Sequence, residues 1–390
     1  MRAKSINNLF IHIMFALVII SNAMPLVFQR EGTFILSMAL SIVLITIVTA
    51  FRLVKRISVS QFIFAVLCVL LFVFSYIPAT TSQARSYVNE HFLWFLFAGV
   101  GTLLIVNYKY DFELLMKVLL VAMLLMAPVI LTTNYSRFDY EVENDEWMMT
   151  IYSIVPLLIA AIYYLFFGKS FLFKVLSVLA MALYFPMFIA HTPRGAVVTI
   201  VFALFLFIFQ KQKEKGVSKK VMIGEGIAVL AALVIAFDLL INYLQQITDL
   251  FELRWLAKFV YDEDVSNGRS PLYQMALDGF LQSPVWGKGI ASFYNYTGYP
   301  HNLFLQMLYE TGVLMFLPVT YLLYQAFMVI ILKKKTSIDY RLVSFLFIIS
   351  IIQLLFSSTF WKRQQFWLLI WMMLSMIPSK TEKCCGKEMK

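Results

Sequence analysis

The chain is built from repeated apolar runs, many of them long enough to cross a lipid bilayer. A helix needs about 20 such residues to span the hydrocarbon core, where every backbone N–H and C=O must find a partner within the protein. Hydrophobic residues make up 61% of the 390 residues and charged residues only 14%, which leaves too little polar surface for a water-soluble globule. The sequence therefore predicts an all-α polytopic membrane protein with about 12 transmembrane helices. The predicted spans are 8–28, 33–50, 59–78, 92–107, 114–132, 149–167, 172–191, 195–210, 221–243, 303–331, 342–358 and 364–378.

The lysines and arginines are unevenly distributed over the connections between these spans, and most lie on the side that holds both termini. Because translocation of Lys and Arg is disfavoured, we expect cytoplasmic termini and an outward-facing loop at 244–302 that contains short helices. The organisation predicted is a single integral membrane domain, 1–390, with a basic cytoplasmic tail at 379–390. The net charge of +10 is dispersed over short connections, so we expect membrane lipids and no nucleic acid among the partners.

One candidate functional residue is Arg269, which lies in the outward loop just before a predicted helix at 271–281. Ser270 can cap that helix, and Pro271 is tolerated in its first turn. A helix start offers unpaired N–H groups and a partial positive charge, so an arginine beside it makes a site suited to phosphate. The alternative is an arginine that contacts lipid headgroups or a helix carbonyl.

A second candidate, Arg194, lies in a tight turn, 191–195, between two strongly apolar helices. A buried arginine is unfavourable there, so its side chain either extends to the interface or points into a polar cavity with an anionic partner. Gly195 would allow a substrate or another backbone to approach closely.

The third candidate group is His301 and Asn302, followed by Gly312. Eleven helical steps of about 100° return to nearly the same face, so His301 and Gly312 line one cavity if the helix begins at or before His301. Glu310 would then face away. A histidine is well suited to accept a proton from a hydroxyl near neutral pH, and Asn302 could orient either the histidine or a sugar. The alternative is a histidine that packs at the membrane interface.

The acidic run Asp262-Glu263-Asp264 is similar to the Asp-x-Asp motif that holds a metal in soluble enzymes using nucleotide sugars. The chain has no nucleotide-binding α/β domain around it, and an outward loop would not meet cytoplasmic nucleotides. We therefore expect no metal site and no cofactor.

The candidate residues together resemble the O-antigen ligase and polymerase superfamily of bacterial membrane proteins. The resemblance covers roughly 190–320 and rests on the segments 192–195, 268–273, 284–289 and 301–312. It implies an inverting, metal-independent glycosyltransferase that uses an undecaprenyl-diphosphate-linked glycan at the periplasmic face of the inner membrane. In that interpretation His301 activates or positions the acceptor hydroxyl, and Arg194 and Arg269 stabilise the departing diphosphate. The implied substrate-binding residues are Arg194, Arg269, Asn302, Lys288 and Gly312.

Two activities within the superfamily share this donor and differ in acceptor. A ligase transfers the glycan to lipid A-core, whereas a polymerase transfers it to a second lipid-linked repeat. The chain length and the dominant outward loop favour a ligase, while Met315 departs from the ligase pattern and favours a polymerase. A lipid-linked oligosaccharide flippase is the alternative of another class, with Glu225 and Asp238 as the candidate charges within a span.

Overall fold

A computed structural model describes residues 2–20, 57–135, 145–191, 193–218, 224, 269–295, 298–332 and 339–377. Within these ranges the chain is helical and has no β-strand, in agreement with the predicted all-α class. The helices are α1 (Arg2–Ile20), α2 (Val59–Ser75), α3 (Ser82–Val106), α4 (Phe112–Tyr135), α5 (Asp145–Phe167), α6 (Phe171–His191), α7 (Arg194–Glu214), α8 (Ser270–Gln282), α9 (Leu303–Leu332), α10 (Tyr340–Phe356) and α11 (Gln364–Ser375).

Three of the described helices are long and apolar enough to cross a membrane. They are Ser82–Val106, Gly195–Gln212 and Leu303–Ile331, and several others are shorter apolar helices. These helices support the assignment to the membrane, whereas the count of about 12 spans and the outward loop stay predictions. The predicted span 33–50, the span 221–243 apart from residue 224, residues 244–268 of the predicted loop and the tail 379–390 lie outside the described residues.

The predicted start of the span 92–107 is wrong by ten residues, or nearly three helical turns, because α3 begins at Ser82. Thr81 caps this helix by accepting a hydrogen bond from the backbone N–H of Ala84 at 3.1 Å. The polar residues of its first turns resemble a loop in sequence, but the cap and the buried side chains of Ala84 and Val88 keep them helical.

The chain divides into two compact units, one formed by Met1–Val118 with Arg269–Lys390 and the other by Leu119–Gly268. In the second unit α5 packs against α6 and α7, and it buries residues on nearly all its sides. The hydroxyl of Tyr184 on α6 donates to the carbonyl of Met123 at 2.9 Å, which ties α6 to the second half of α4.

Helix α11 forms the centre of the first unit. Every residue from Gln364 to Leu374 is buried, as expected for a helix that is surrounded by others. Its polar groups are satisfied by neighbouring helices: Gln365 donates to the carbonyl of Ile19 at 2.6 Å, and Gln61 donates to that of Trp371 at 2.9 Å. These bonds fix α11 between α1 and α2.

A π-helical turn at Phe95–Val100 in α3 helps to hold the same central helix. A π turn shifts the regular pattern of backbone bonds and frees carbonyl oxygens for other donors. The carbonyl of Gly99 accepts from the indole N–H of Trp371 at 2.8 Å and from the hydroxyl of Thr102 at 2.6 Å. The irregular turn therefore satisfies a fully buried tryptophan.

Candidate functional site

The site lies in the first unit, at the end of the bundle where α9 and α11 begin and where α2 and α10 end. Helix α8 packs along α9 through Ala276 and Tyr309, and Gly279 lies directly against the Tyr309 ring. Farther along both helices, the carbonyl of Pro284 accepts from the N–H of Val313, so α8 and α9 run in the same direction.

This parallel packing brings Arg269 and His301 to the same end of the helix pair. At a rise of 1.5 Å per residue, Ser270 lies roughly 14 Å before Gly279, and Leu303 lies roughly 9 Å before Tyr309. Since Gly279 and Tyr309 are in contact, the two helix starts beside which Arg269 and His301 lie are at the same end of the pair.

Helix α9 is broken at Gly312, and the loop 284–289 supplies hydrogen-bond partners for the backbone groups that the break frees. Gly312 has φ 58° and ψ −157°, which interrupts the regular backbone bonds. The N–H groups of Lys288 and Gly289 donate to the carbonyls of Tyr309 and Glu310, at 2.7 and 3.0 Å. The carbonyls of 284 and 285 accept from the N–H groups of 313 and 314, at 2.9 and 3.3 Å. Broken helices at membrane depth are tolerated where protein satisfies the freed groups in this way.

Two glycines allow this close approach of loop and helix. A Cβ on Gly312 would lie 2.4 Å from the carbonyl oxygen of Val285, and one on Gly287 would lie 2.4 Å from the carbonyl carbon of Glu310. Both glycines also have positive φ. Backbone atoms of the loop fill the space beside the Gly312 α-carbon. In this arrangement Gly312 therefore allows the loop 284–289 to pack closely against α9.

The predicted shared face of His301 and Gly312 is wrong, because α9 begins at Leu303 and is broken at Gly312. His301 precedes the helix with φ 53°, a left-handed conformation that is uncommon among residues other than glycine. Its ring lies against that of Tyr299, with centroids 4.2 Å apart. Asn302 caps α9, its side-chain oxygen accepting from the N–H groups of Phe304 and Leu305 at 3.0 and 3.2 Å.

A chain of contacts joins His301 to the loop before α11. The hydroxyl of Tyr299 accepts from the N–H of Ser358 at 3.0 Å, and the hydroxyl of Ser358 accepts from Nε of Arg363 at 2.8 Å. With the Gln353 amide oxygen turned towards it, the Arg363 guanidinium also donates to that oxygen at 2.9 and 3.3 Å. Ser358, like His301, has positive φ. Strained residues of this kind concentrate at functional sites.

Glu310 lies inside the bundle and binds the loop 357–363, which precedes α11. Its two carboxylate oxygens accept from the Gln306 amide at 3.1 Å and from the Trp361 indole N–H at 2.7 Å. Gln306 also donates to the hydroxyl of Thr359 at 2.6 Å. The expectation that Glu310 faces away from a face shared by His301 and Gly312 does not apply, because α9 begins after His301. Glu310 is 1% exposed, and its carboxylate accepts from Trp361 of the 357–363 loop.

An ion pair and two aromatic rings extend the site towards α3. Lys362 donates to Glu90 at 2.6 Å, and its ammonium lies 5.8 Å from the centre of the Tyr294 ring. His91 is buried and meets the Tyr294 ring edge-on at 4.9 Å. Burial raises the pKa of the Tyr294 hydroxyl, and nearby Glu310, among other groups, raises it further, so this hydroxyl stays protonated.

The remaining predicted site residues are placed as follows. Arg269 is half-buried and occupies the N-cap position of α8, so the expectation that Ser270 is the cap is wrong. Lys288 is half-buried and donates through Nζ to Gln282 at 2.6 Å. Arg194 is the first residue of α7 and belongs to the second unit, and its side chain lies outside the described residues.

No group of three or more metal-ligating side chains occurs among the residues that the structure describes. The run Asp262-Glu263-Asp264 lies outside those residues.

Sequence reasoning missed several side chains that meet at this end of the bundle. By sequence, Lys362 and Arg363 contribute only to the distribution of Lys and Arg over the connections between spans. Both residues lie in the short connection between the predicted spans 342–358 and 364–378. The sequence carried one signal for them, because two adjacent basic residues on the outward side oppose the overall charge bias. Tyr294 and Tyr299 carried none, since tyrosines are common at membrane interfaces.

The described part of the chain is an apolar helical bundle with a polar cluster at one end, which places it in the class of helical membrane proteins. Residues 179–320 match the model of the O-antigen ligase family, which confirms the resemblance to the O-antigen ligase and polymerase superfamily. This family implies a glycosyltransferase-type activity on lipid-linked glycans. No curated protein sequence matches the chain. The matched segment excludes several residues of the candidate site, namely Glu90, Ser358, Trp361, Lys362 and Arg363.

Proposed function

We propose that the protein is an O-antigen ligase. It transfers a glycan from undecaprenyl diphosphate to lipid A-core at the periplasmic face of the bacterial inner membrane and so completes lipopolysaccharide. The observation that carries the proposal is the placement of His301 and Arg269 at one end of the α8–α9 pair, within the segment matched by the family. Cytoplasmic termini and a periplasmic site follow from the distribution of Lys and Arg.

The reaction is a displacement at the anomeric carbon of the donor sugar. The acceptor hydroxyl oxygen forms a bond to that carbon from one face, and the bond to the diphosphate oxygen breaks on the other, which inverts the configuration. The bonding electrons leave with the lipid diphosphate. The hydroxyl proton passes to the imidazole of His301, whose ring is held against Tyr299. A histidine that only orients the hydroxyl would occupy the same place.

Arg269 stabilises the negative charge that develops on the diphosphate, in a reaction that needs no metal. The resemblance to the family implies a diphosphate-binding role for Arg194 as well. The N-terminus of α8 adds to this effect, because its first N–H groups and helix dipole favour an anion beside Arg269. Lys288, Asn302 and Gly312 complete the proposed substrate-binding set. Asn302 and Gly312 contribute by shaping the start of α9 and by seating the loop 284–289.

A polymerase is the second candidate, because it would use the same donor chemistry with a second lipid-linked repeat as acceptor. The Met315 side chain, which favours a polymerase by sequence, is fully buried in the described structure and serves packing. Glu225 and Asp238, the residues that a flippase would need, lie outside the described residues.

The test uses a strain that lacks the protein, complemented with the wild-type chain, with His301→Ala or with Gln274→Ala. Gln274 is an exposed residue of α8 whose side chain bonds Asp278, so its variant is the matched control. Surface glycans are separated by gel electrophoresis, and lipid-linked intermediates are extracted in parallel. We expect a loss of transfer of at least 100-fold for His301→Ala, as for removal of a general base, at an unchanged protein level.

The intermediates distinguish the candidates. Unsubstituted lipid A-core together with long glycan on the carrier supports the ligase. Lipid A-core that bears a single repeat supports the polymerase and contradicts the ligase. A donor that fails to reach the outer leaflet would overturn both and support the flippase.

A further inference from the structure

Four ring side chains form a continuous row that ends at the proposed catalytic histidine. The ring centroids of Tyr87 and Tyr294 are 5.2 Å apart, those of Tyr294 and Tyr299 are 6.3 Å apart, and those of Tyr299 and His301 are 4.2 Å apart. All four side chains are half-buried, so each is anchored in protein and still has exposed surface. The row joins three parts of the chain: α3, the turn at Ser292–Asn295 and the loop before α9.

The row is held rigidly from behind. Buried His91 meets Tyr294 edge-on at 4.9 Å, and the backbone of Ser358 donates to the Tyr299 hydroxyl. The amide of Gln83 donates to the Tyr87 hydroxyl at 3.0 Å, from the previous turn of α3. Rings whose positions are fixed before a ligand arrives lose little conformational entropy on binding.

The polar groups beside the row are those that recognise hydroxyls. Glu90 supplies a partly exposed carboxylate, and Lys362 supplies an ammonium that bridges Glu90 and the Tyr294 ring. The Tyr294 hydroxyl stays protonated and can donate. Sites for small ligands combine apolar or aromatic walls with a few placed polar groups, and here the walls are flat rings. A sugar has an apolar C–H face that packs on a ring and an edge of hydroxyls that needs such donors and acceptors.

We propose that the row formed by Tyr87, Tyr294, Tyr299 and His301, with Glu90 and Lys362 beside it, binds the acceptor oligosaccharide. The sugar that carries the attacking hydroxyl lies at His301, and the sugars next to it extend along the rings towards Tyr87. The inference rests on the proposed function, because that function places the attacking hydroxyl at His301. It adds residues of α3 and of the 357–363 loop, which lie outside the family match, to the substrate site.

The test measures binding and transfer with the full-length protein in lipid nanodiscs. The probe for binding is delipidated core oligosaccharide, titrated calorimetrically; the assay for transfer uses purified lipid-linked donor and lipid A-core at varied concentration. Tyr87→Ala removes the outermost ring, and Tyr87→Phe keeps the ring without its hydroxyl. Tyr76→Ala is the control, because Tyr76 is an exposed tyrosine at the end of α2 that has no place in the row.

We expect Tyr87→Ala to weaken oligosaccharide binding roughly three- to tenfold, the range for one aromatic contact. The KM for lipid A-core should rise by a similar factor with little change in kcat, whereas the KM for donor stays constant. Tyr87→Phe should restore most of the affinity. His301→Ala removes one ring of the row, so it should bind oligosaccharide with a similar loss of affinity while failing to transfer.

Three results would overturn the inference: equal binding by wild type and Tyr87→Ala, an equal loss in Tyr76→Ala, or a rise confined to the KM for donor. None of these three results contradicts the proposed function if the wild-type protein transfers glycan. A wild-type protein that binds the oligosaccharide but transfers no glycan contradicts the proposed function instead.

Discussion

At the scale of single residues, Glu310 shows how a charged side chain stabilises an apolar bundle. Its carboxylate accepts hydrogen bonds from Gln306 on its own helix and from Trp361 on the loop before α11. A buried carboxylate without such donors would be strongly unfavourable, and the donors would in turn lack an acceptor. One residue therefore ties α9 to the loop that also carries Arg363 and Lys362.

Replacing Glu310 by alanine should destabilise the protein by about 2 to 4 kcal/mol, because two buried donors lose their acceptor. Glu310→Gln should be milder, since its amide oxygen can still accept one of the two bonds. Thermal unfolding in nanodiscs measures both effects. Adding Trp361→Phe removes one stranded donor and should recover part of the loss in Glu310→Ala. Equal unfolding temperatures for wild type and Glu310→Ala would contradict this account.

At the scale of elements, the break in α9 and the loop 284–289 form one structure. Two backbone bonds that a regular helix would make within itself, from the N–H groups of 313 and 314 to the carbonyls of 309 and 310, are replaced by four bonds between helix and loop. The exchange requires glycine at 287 and 312, where any Cβ would overlap backbone atoms that cannot move independently. The loop also continues into Ile290, whose N–H donates to the hydroxyl of Ser75 at 2.8 Å and so reaches α2.

We therefore expect Gly312→Ala to lose several kcal/mol of stability, more than the roughly 1 to 2 kcal/mol attributable to a left-handed residue alone. Gly298→Ala is the matched control, because Gly298 also has positive φ (93°) but has open space around it. The two variants are compared by yield of folded protein and by unfolding temperature. If they lose stability equally, the overlap with Val285 has no effect and the close approach is not required.

At the scale of the whole molecule, the charge distribution predicts the side of the membrane on which each connection lies. The structure places the proposed site at one end of the first unit, where α8 and the starts of α9 and α11 are found. The orientation predicts that this end is periplasmic and that the end of α7 is cytoplasmic.

Cysteine labelling tests this orientation. The three native cysteines, Cys68, Cys384 and Cys385, are first replaced, and single cysteines are introduced at the exposed positions Asp278 and Lys215. A membrane-impermeant maleimide added to intact spheroplasts should modify position 278 and leave 215 unmodified until the membrane is opened. Labelling in the reverse order would invert the topology and remove the site from the periplasm.

Much of the fold was predictable because membrane insertion depends on local properties. The helix predicted at 271–281 is observed as Ser270–Gln282, and the span predicted at 303–331 is observed as Leu303–Ile331. The errors occurred where tertiary contacts override local pattern. Gly312 resembles an ordinary helix residue in sequence, and only the loop 284–289 makes its break stable.

The sequence by itself determined that the chain is a helical membrane protein, which connections carry positive charge and which segments resemble the O-antigen ligase family. These properties depend on composition, on runs of about 20 residues and on short motifs, all readable along the chain. The tertiary structure alone decided which side chains surround His301. Residues as distant in sequence as Tyr87, Tyr294 and Arg363 are linked to His301 through Tyr299. Tertiary packing creates these contacts, and they leave no periodic signal in the residues that make them.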